Sequence, residues 1–416
     1  MSDPLFAAYS SMPNADLKPM FNQSSHAPLA QPTTLPDYDR PFGLPAFNRI
    51  EDVIAAYDGD DAIHVLYPQV IAAAAQTFLS GFPGKVLYAV KANPHPAVIR
   101  ILWSAGIRHF DVASIREIDL VRAIAPAAEL YLMHPVKSRK TIRHAYDRGV
   151  RHMALDCASE LRKIMDETGA ATDLNLHVRI SVPSDGSAMP LDGKFGADFE
   201  TAIALLRAAR QVAANLGICF HVGSQCMDID AYRRTFGYAR SLIDAAGVRI
   251  DSLDCGGGFP VAYPGMVPAP VGDYFDAIRD GINANGFADM EIIGEPGRAL
   301  CAEGGSTLTR VELRKGTDLY INDGSYGSLF DAAQCSWKFP VRRVSSEAKD
   351  GETTRFRLFG PTCDSLDVME GPFHLPSDME EGDWIEVQNL GAYGQTLATD
   401  FNGFQSDVTV AVMSRA

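Results

Sequence analysis

The chain has 416 residues, a mass of 45.1 kDa and a net charge of -15, from 37 Lys+Arg against 52 Asp+Glu. That length suggests about two or three domains with a core large enough to need neither disulfides nor a structural metal. The acidic balance argues against a duplex nucleic-acid binder, which needs a basic face, and against a polybasic membrane-surface protein.

The segment Met1–Pro32 lacks a basic stretch followed by an apolar run, so no secretory signal is expected, and no apolar run is long enough for a transmembrane helix. Seven cysteines fall without CxxC or zinc-finger spacing, which fits reduced thiols in a cytoplasmic protein. Residues 1–58 are rich in Pro, Ser, Asn and Ala without sustained periodicity. Pro32, Pro36, Pro41 and Pro45 interrupt any helix there, and an irregular, partly disordered arm is expected.

A regular rhythm begins near Ala62. The run Ile63–Tyr67, before the helix Gln69–Leu79, fits a different sheet from the strands that follow. Eight short apolar runs then alternate with helical patterns. The runs are Lys85–Lys91, Phe110–Ser114, Leu130–Pro135, His152–Asp156, Leu174–Ser181, Cys219–Ser224, Ser252–Cys255 and Glu291–Glu295. Between them lie helical periods such as Ile115–Ile124, Phe199–Leu216 and Asp230–Ala246, several closed by a glycine, among them Gly106, Gly149, Gly217 and Gly247. Repeated βαβ units predict either a (β/α)8 barrel or an open doubly wound sheet. The polar residues at the strand ends (Lys91, Asp111, His134, Asp156, Arg179, His221, Ser224 and Glu295) favour the barrel, where those ends meet at one mouth. After Arg298 the period becomes two, over Ser306–Arg314, Asp318–Asn322, Arg342–Ser345, Thr354–Phe359 and Asp383–Gln388. The expected fold is therefore α/β plus all-β: an arm over 1–58, a barrel over 59–300 and a C-terminal β-domain over 301–416.

Several short segments carry chemistry. Lys91 ends a buried strand in Tyr88-Ala89-Val90-Lys91-Ala92-Asn93, where desolvation would depress its pKa and free a nucleophilic amine; the bland alternative is a lysine snorkelling to solvent. Gly256-Gly257-Gly258 follows a strand and exposes backbone N–H groups to an anion, although three glycines also simply make a loop. Glu295-Pro296-Gly297-Arg298 ends the last strand. A buried Glu needs a cationic partner and an Arg can hold phosphate, but the two can equally pair with each other. His221-Val222-Gly223-Ser224 offers a flat ring and a hydroxyl, or a satisfied core histidine. No metal-ligand spacing links His134, His152 and His177, and no nucleophile elbow occurs.

Taken in order, YAVKAN, FDVAS, HVGS, GGGF, EPGR, GPTCDS and GAYG, from Tyr88 to Phe404, resemble the fold-type III pyridoxal-phosphate decarboxylases that act on ornithine, arginine and diaminopimelate. The resemblance implies an alanine-racemase-like barrel followed by a β-domain. It implies pyridoxal 5'-phosphate as cofactor, Lys91 as its Schiff-base lysine, Glu295 at the pyridine nitrogen and His221 stacked on the ring. Ser224, Gly258, Arg298 and Tyr393 would hold the phosphate, with Gly256 and Gly257 shaping the loop and Asp111, Arg179 and Glu117 in support. Cys363 would protonate the carbanion left by CO2, and Asp364, with Tyr326 and Asp331, would meet the substrate's distal amine. In that family the Cys363–Asp364 segment reaches the partner's site, so a homodimer is implied. The GPTCDS spelling points to the ornithine branch, hence to ornithine, and lysine as well, as substrates in polyamine biosynthesis. A diaminopimelate or carboxynorspermidine decarboxylase is the alternative, and Lys338, Arg342 and Arg343 are downstream cations for a distal carboxylate. A non-catalytic homologue would typically lack Lys91 or Cys363, and an alanine racemase would need a catalytic Tyr where CDS stands.

Overall fold

A computed structural model describes residues 41–184, 186–191, 193–345 and 351–414. The expected arm over residues 1–40 lies outside the described residues. Eight parallel strands close a barrel: Lys85–Ala89, His109–Asp111, Glu129–Leu132, His152–Leu155, Asn175–Arg179, Asn215–Cys219, Ser252–Asp254 and Glu291–Gly294. Closure is made by the eighth strand on the first, with Ile293 opposite Lys85. Helices follow the strands around the outside, started by side-chain caps and stopped by glycines. Ser114, Ser138 and Asp198 each accept a backbone N–H in the first turn of their helix. Gly106, Gly149 and Gly247 follow helix ends at positive φ, where a Cβ is strained. The helix Pro68–Gly81 fills the gap beside the last strand. It packs on Val271–Ala284 through Phe78 and Phe275, 5.1 Å between ring centroids, and on Pro96–Ser104.

Two expectations about the barrel change. The sixth strand is Asn215–Cys219, earlier than the run Cys219–Ser224, and the preceding helix stops at Arg210. Gly217 is therefore not a helix stop. It is a mid-strand glycine because His177 and the Ser252 hydroxyl occupy the space a Cβ would need. Ser224–Cys226 pairs instead with Ser187–Met189, which ties the long connection after the fifth strand to the barrel rim.

The second unit is a nine-stranded sheet that draws on both ends of the chain. Its long strand Gly305–Lys315 pairs antiparallel with Ile63–Leu66, which pairs parallel with Thr409–Val412, which pairs in turn with Ala46–Phe47. Ile63–Leu66 thus belongs to the β-sheet, as its position before the helix suggested. Residues 46–66 join the unit expected to begin at 301, and residues 41–58 are not irregular, since Ile50–Ala56 is a helix packed on that sheet. The expected arm and barrel boundaries shift because the strand's hydrogen bonds run to the far end of the chain, which local pattern does not reveal.

One buried carboxylate fastens this junction. Glu386 accepts from Tyr67 OH, from Arg342 Nε at 2.7 Å and from Gln388 Nε2 at 3.0 Å. Burial alone would raise its pKa, but the bonds from Tyr67 and Gln388 and the charge of Arg342 outweigh it, and the carboxyl sits below its ordinary value. A depressed carboxyl pKa contributes stability above the unfolded value and loses it as pH falls through the folded one. Tyr67→Phe should therefore lower the unfolding free energy by about 1–3 kcal/mol at neutral pH. Urea denaturation checks this, and the difference from wild type should shrink in acid.

Candidate active site

The C-terminal ends of the barrel strands open on a cavity of about 460 Å³. Lys91, Asp111, Arg179, His221, Ser224, Gly257, Gly258, Glu295, Arg298 and Tyr393 all line it. Of the residues expected at a cofactor, Gly256 and Glu117 do not. Gly256 sits at φ 65 with its N–H on Asp254 Oδ1 at 2.8 Å, and a Cβ there would strike the carbonyl of Phe220, so it shapes the turn from below.

Lys91 follows its strand on a single 3-10 turn, Val90–Ala92, held from both units. Ala89 N–H donates to Pro296 O at 3.2 Å, Tyr393 N–H to Ala92 O at 2.9 Å, and Asn93 Nδ2 to Gly391 O at 2.9 Å. Lys91 Nζ lies 3.4 Å from Asp111 Oδ2, and Asp111 Oδ1 accepts from Met133 N–H at 3.3 Å. The side chain is 51% uncovered, facing the cavity, and it is not the buried neutral amine that strand burial predicted. Desolvation pulls its pKa down, but Asp111, Tyr393 and Glu295 pull harder, and the net shift is upward. Lys91 therefore stands here as an ammonium paired with Asp111.

Glu295 is 6% exposed, and its pKa is pushed well above the carboxylate range by desolvation first, then by Asp254 and Asp111. Asp254, fully buried with Oδ2 lacking a partner, is raised to about 6 by the same burial. Both carboxyls are short of positive charge, and burial shifts each toward its protonated form. His221 is the reverse case. Burial first, then Arg179 and Lys91, hold its pKa well below its ordinary value, so the ring is neutral, and its Nδ1 accepts Gly223 N–H at 3.0 Å. Arg298 is 5% exposed and donates through Nη1 to Tyr263 OH at 3.2 Å and through Nη2 to Asp331 Oδ2 at 3.0 Å, yet its buried Nε has no partner.

Other expected site residues lie elsewhere. Asp331 does not line the cavity; the short helix Phe330–Gln334 turns its carboxylate onto Arg298, so it orients that arginine rather than facing a substrate. Glu117 Oε2 accepts Ala113 N–H at 2.6 Å and serves the start of the helix Ile115–Ile124. Arg342 and Arg343 are committed to Glu386 and Asp378 in the β-sheet. Tyr326, Cys363 and Asp364 sit together on loops of the β-domain outside the cavity, with Tyr326 OH on Asp364 Oδ2 at 2.7 Å. Sequence reasoning missed Leu191, Lys194 and Phe195, which line the cavity from the connection after the fifth strand, and gave His134 no role there. The signal was the length of that connection, far beyond the usual two to six residues of an αβ unit.

The pyridoxal-binding domain profile of the pyridoxal-dependent decarboxylases matches residues 69–302. The chain belongs to that family. Ornithine decarboxylase of Caenorhabditis elegans is 37% identical over 356 residues, covering 79% of this chain and 81% of the relative. Antizyme inhibitor 2 of Xenopus laevis is 32% identical over 371 residues, covering 82% and 78%. A crystal structure of lysine/ornithine decarboxylase from Vibrio vulnificus complexed with putrescine superposes with a TM-score of 0.75 at 28% identity, covering 87% of this chain and 97% of that one.

The decarboxylase's cofactor is pyridoxal phosphate, and the cavity fits it on independent grounds. The orphaned Nε of Arg298 is a charged donor awaiting an acceptor. Gly258, at φ 103, leaves a hollow that a Cβ would close against Gly223 O, and Gly257 does the same beside His221 and Glu295. A pyridinium N–H would supply the positive charge that Glu295 lacks. Arg298→Met should raise the Kd for pyridoxal phosphate by about 10- to 150-fold, the equivalent of 1.5–3 kcal/mol for a charge-assisted bond. Equilibrium dialysis checks this; an unchanged Kd would place the phosphate elsewhere.

Proposed function

We propose that this decarboxylase acts on L-ornithine, and on L-lysine as well, as a cytoplasmic homodimer in which each Cys363–Asp364 loop completes the other subunit's site. One observation carries the reading. Of the cavity-lining carboxylates, Asp111 is paired with Lys91 and Glu295 would take the ring nitrogen, while Asp364 lies on a loop outside the cavity. A distal ammonium thus finds its anion on a second copy. Exposed Phe330, Leu366, Phe401 and Phe404 near that loop supply an apolar surface for the partner. Asp364 is held below its ordinary pKa by the Leu366 N–H and Tyr326 OH, so it meets a cation as a carboxylate. Among the described residues no helix is long and apolar enough to cross a membrane, and the seven cysteines are free thiols.

Bound pyridoxal phosphate supplies the electron sink for the pair left on Cα when CO2 departs. Lys91 Nζ would hold the cofactor, with Asp111 Oδ2, 3.4 Å away, keeping that nitrogen in place in the cavity. Glu295 would hold the ring nitrogen in its protonated, electron-withdrawing form. Neutral His221 would offer the ring an uncharged surface, and the partner's Cys363 Sγ–H would return a proton to the substrate's Cα.

Lys194 supports a second reading. It lines the cavity with Nζ 5.0 Å from the Phe195 ring centroid, and a cation there suits a distal carboxylate, as in a diaminopimelate- or carboxynorspermidine-type substrate. A screen of CO2 release over ornithine, lysine, arginine and meso-diaminopimelate separates the two. Ornithine should be fastest, and preference for diaminopimelate would overturn the first reading. A binding protein without catalysis is disfavoured by the presence of both Lys91 and Cys363. Lys91→Ala should be nearly inactive and Cys363→Ala should form little diamine, and mixing them should restore about a quarter of wild-type diamine formation if sites are shared across a twofold axis; no recovery would contradict shared sites.

A further inference from the structure

The Cys363 loop is shaped by two side chains that no motif announced. Asp367 is 2% exposed. Its Oδ1 accepts Ser325 N–H at 2.7 Å and Ser325 OH at 3.0 Å, and its Oδ2 accepts Thr362 N–H at 3.1 Å and Thr362 OH at 2.7 Å. Gly360 N–H donates to Asp367 O at 2.9 Å and Asp367 N–H to Asp364 O at 3.1 Å, which closes residues 360–367 on themselves. Gly324 and Gly360 both face this carboxylate, and a Cβ on either would overlap it. The thiol lies between the pinned ends and is met by a third loop. Asn402 Oδ1 accepts both Cys363 N–H and Cys363 S–H, each at 3.3 Å. Asn402 occupies φ 55, ψ 9 on the turn Phe401–Gly403, a left-handed conformation that Asn and Gly adopt more readily than other residues. Thr399 N–H on Tyr326 O at 2.8 Å and the Phe401 ring 4.9 Å from Tyr326 tie that turn to the same assembly.

We propose that Asn402 is the positioning residue of the Cys363 thiol, fixing where Sγ sits on a loop that Asp367 holds in place. The proposal rests on the decarboxylase reading above. A thiol is a weak donor, so the contact adds little stability, but together with the Cys363 N–H bond to the same oxygen it selects one rotamer and so one place for Sγ, from which the S–H can turn to the partner's site. When CO2 has left, the electron pair on Cα takes the Sγ proton. The S–H bond breaks, a C–H bond forms, and the thiolate recovers its proton from water. If the thiol is not so placed, a proton reaches the cofactor's C4' carbon, which shares that pair. Water then releases an amino-aldehyde, the substrate carbon is oxidised by two electrons, and the cofactor leaves in its amine form, reduced by two.

The test compares wild type with Asn402→Gly, which keeps the left-handed backbone and removes the side chain, and Asn402→Asp, which keeps an accepting oxygen. Each holoenzyme is given ornithine, and CO2, putrescine, 4-aminobutanal and the amine form of the cofactor are measured after acid quench. Asn402→Gly should raise the aldehyde-to-diamine ratio by about 10-fold, with matching recovery of amine-form cofactor, and this shift should exceed any fall in CO2 release. Asn402→Asp should restore the diamine. A ratio unchanged in Asn402→Gly, a loss of CO2 release without the ratio moving, or an Asp variant as poor as Gly would overturn the proposal while leaving the decarboxylase reading intact. Wild-type protein that releases no CO2 from any basic amino acid would overturn both.

Discussion

A carboxyl group shut inside a protein must meet positive charge or keep its proton. The mouth of this barrel brings Asp111, Asp254 and Glu295 together, against Lys91 and Arg179, because strands two, seven and eight end there. Asp111 is answered by Lys91, but for Glu295 burial and the neighbouring Asp254 and Asp111 outweigh Lys91 and Arg179, and it is driven toward its neutral form. A cavity built this way is incomplete until a cationic ring nitrogen enters it, and the surrounding arrangement follows. His221 is held neutral for the ring face, and Arg298 is steadied by Tyr263 and Asp331 with one donor to spare.

The β-domain is not an appendage to this site. Its turn at Gly391–Tyr393 grips the Lys91 turn through the bonds to Ala92 and Asn93, so the position of the reactive amine depends on both units. Its sheet is woven from the two ends of the chain, and its far loops carry Tyr326, Cys363 and Asp364 away from the cavity of their own subunit. The cavity-lining groups are anchored at the barrel mouth, while Tyr326, Cys363 and Asp364 stand outside it on loops bonded to one another.

Much of this was legible in the sequence because strand ends are marked by residues a strand has no other reason to carry. Lys91, Asp111, Arg179, Glu295 and Arg298 could be assigned to one mouth once eight βαβ repeats were counted, and the structure lines one cavity with all five. What could not be read was any quantity set by partners distant in sequence. The upward pKa of Lys91 comes from Asp111, Tyr393 and Glu295, so the local argument from strand burial reached the opposite sign. The resemblance put Asp331 at a substrate's distal amine, and its pairing with Arg298, on another unit, left no local sign. Gly217 looked like a helix stop because the need for its missing Cβ arises from His177 and Ser252 across two neighbouring strands. Asn402 and Asp367 carried no local signal, since each acts on a loop brought to it only by the folded sheet.

The central claim is that Lys91, rather than another lysine, holds the cofactor in this cavity. Purified protein loaded with pyridoxal phosphate, reduced with borohydride and digested, should yield a single pyridoxyl-labelled peptide, located by mass spectrometry at Lys91. A stoichiometric label on a different lysine, or none on the loaded protein, would contradict the account.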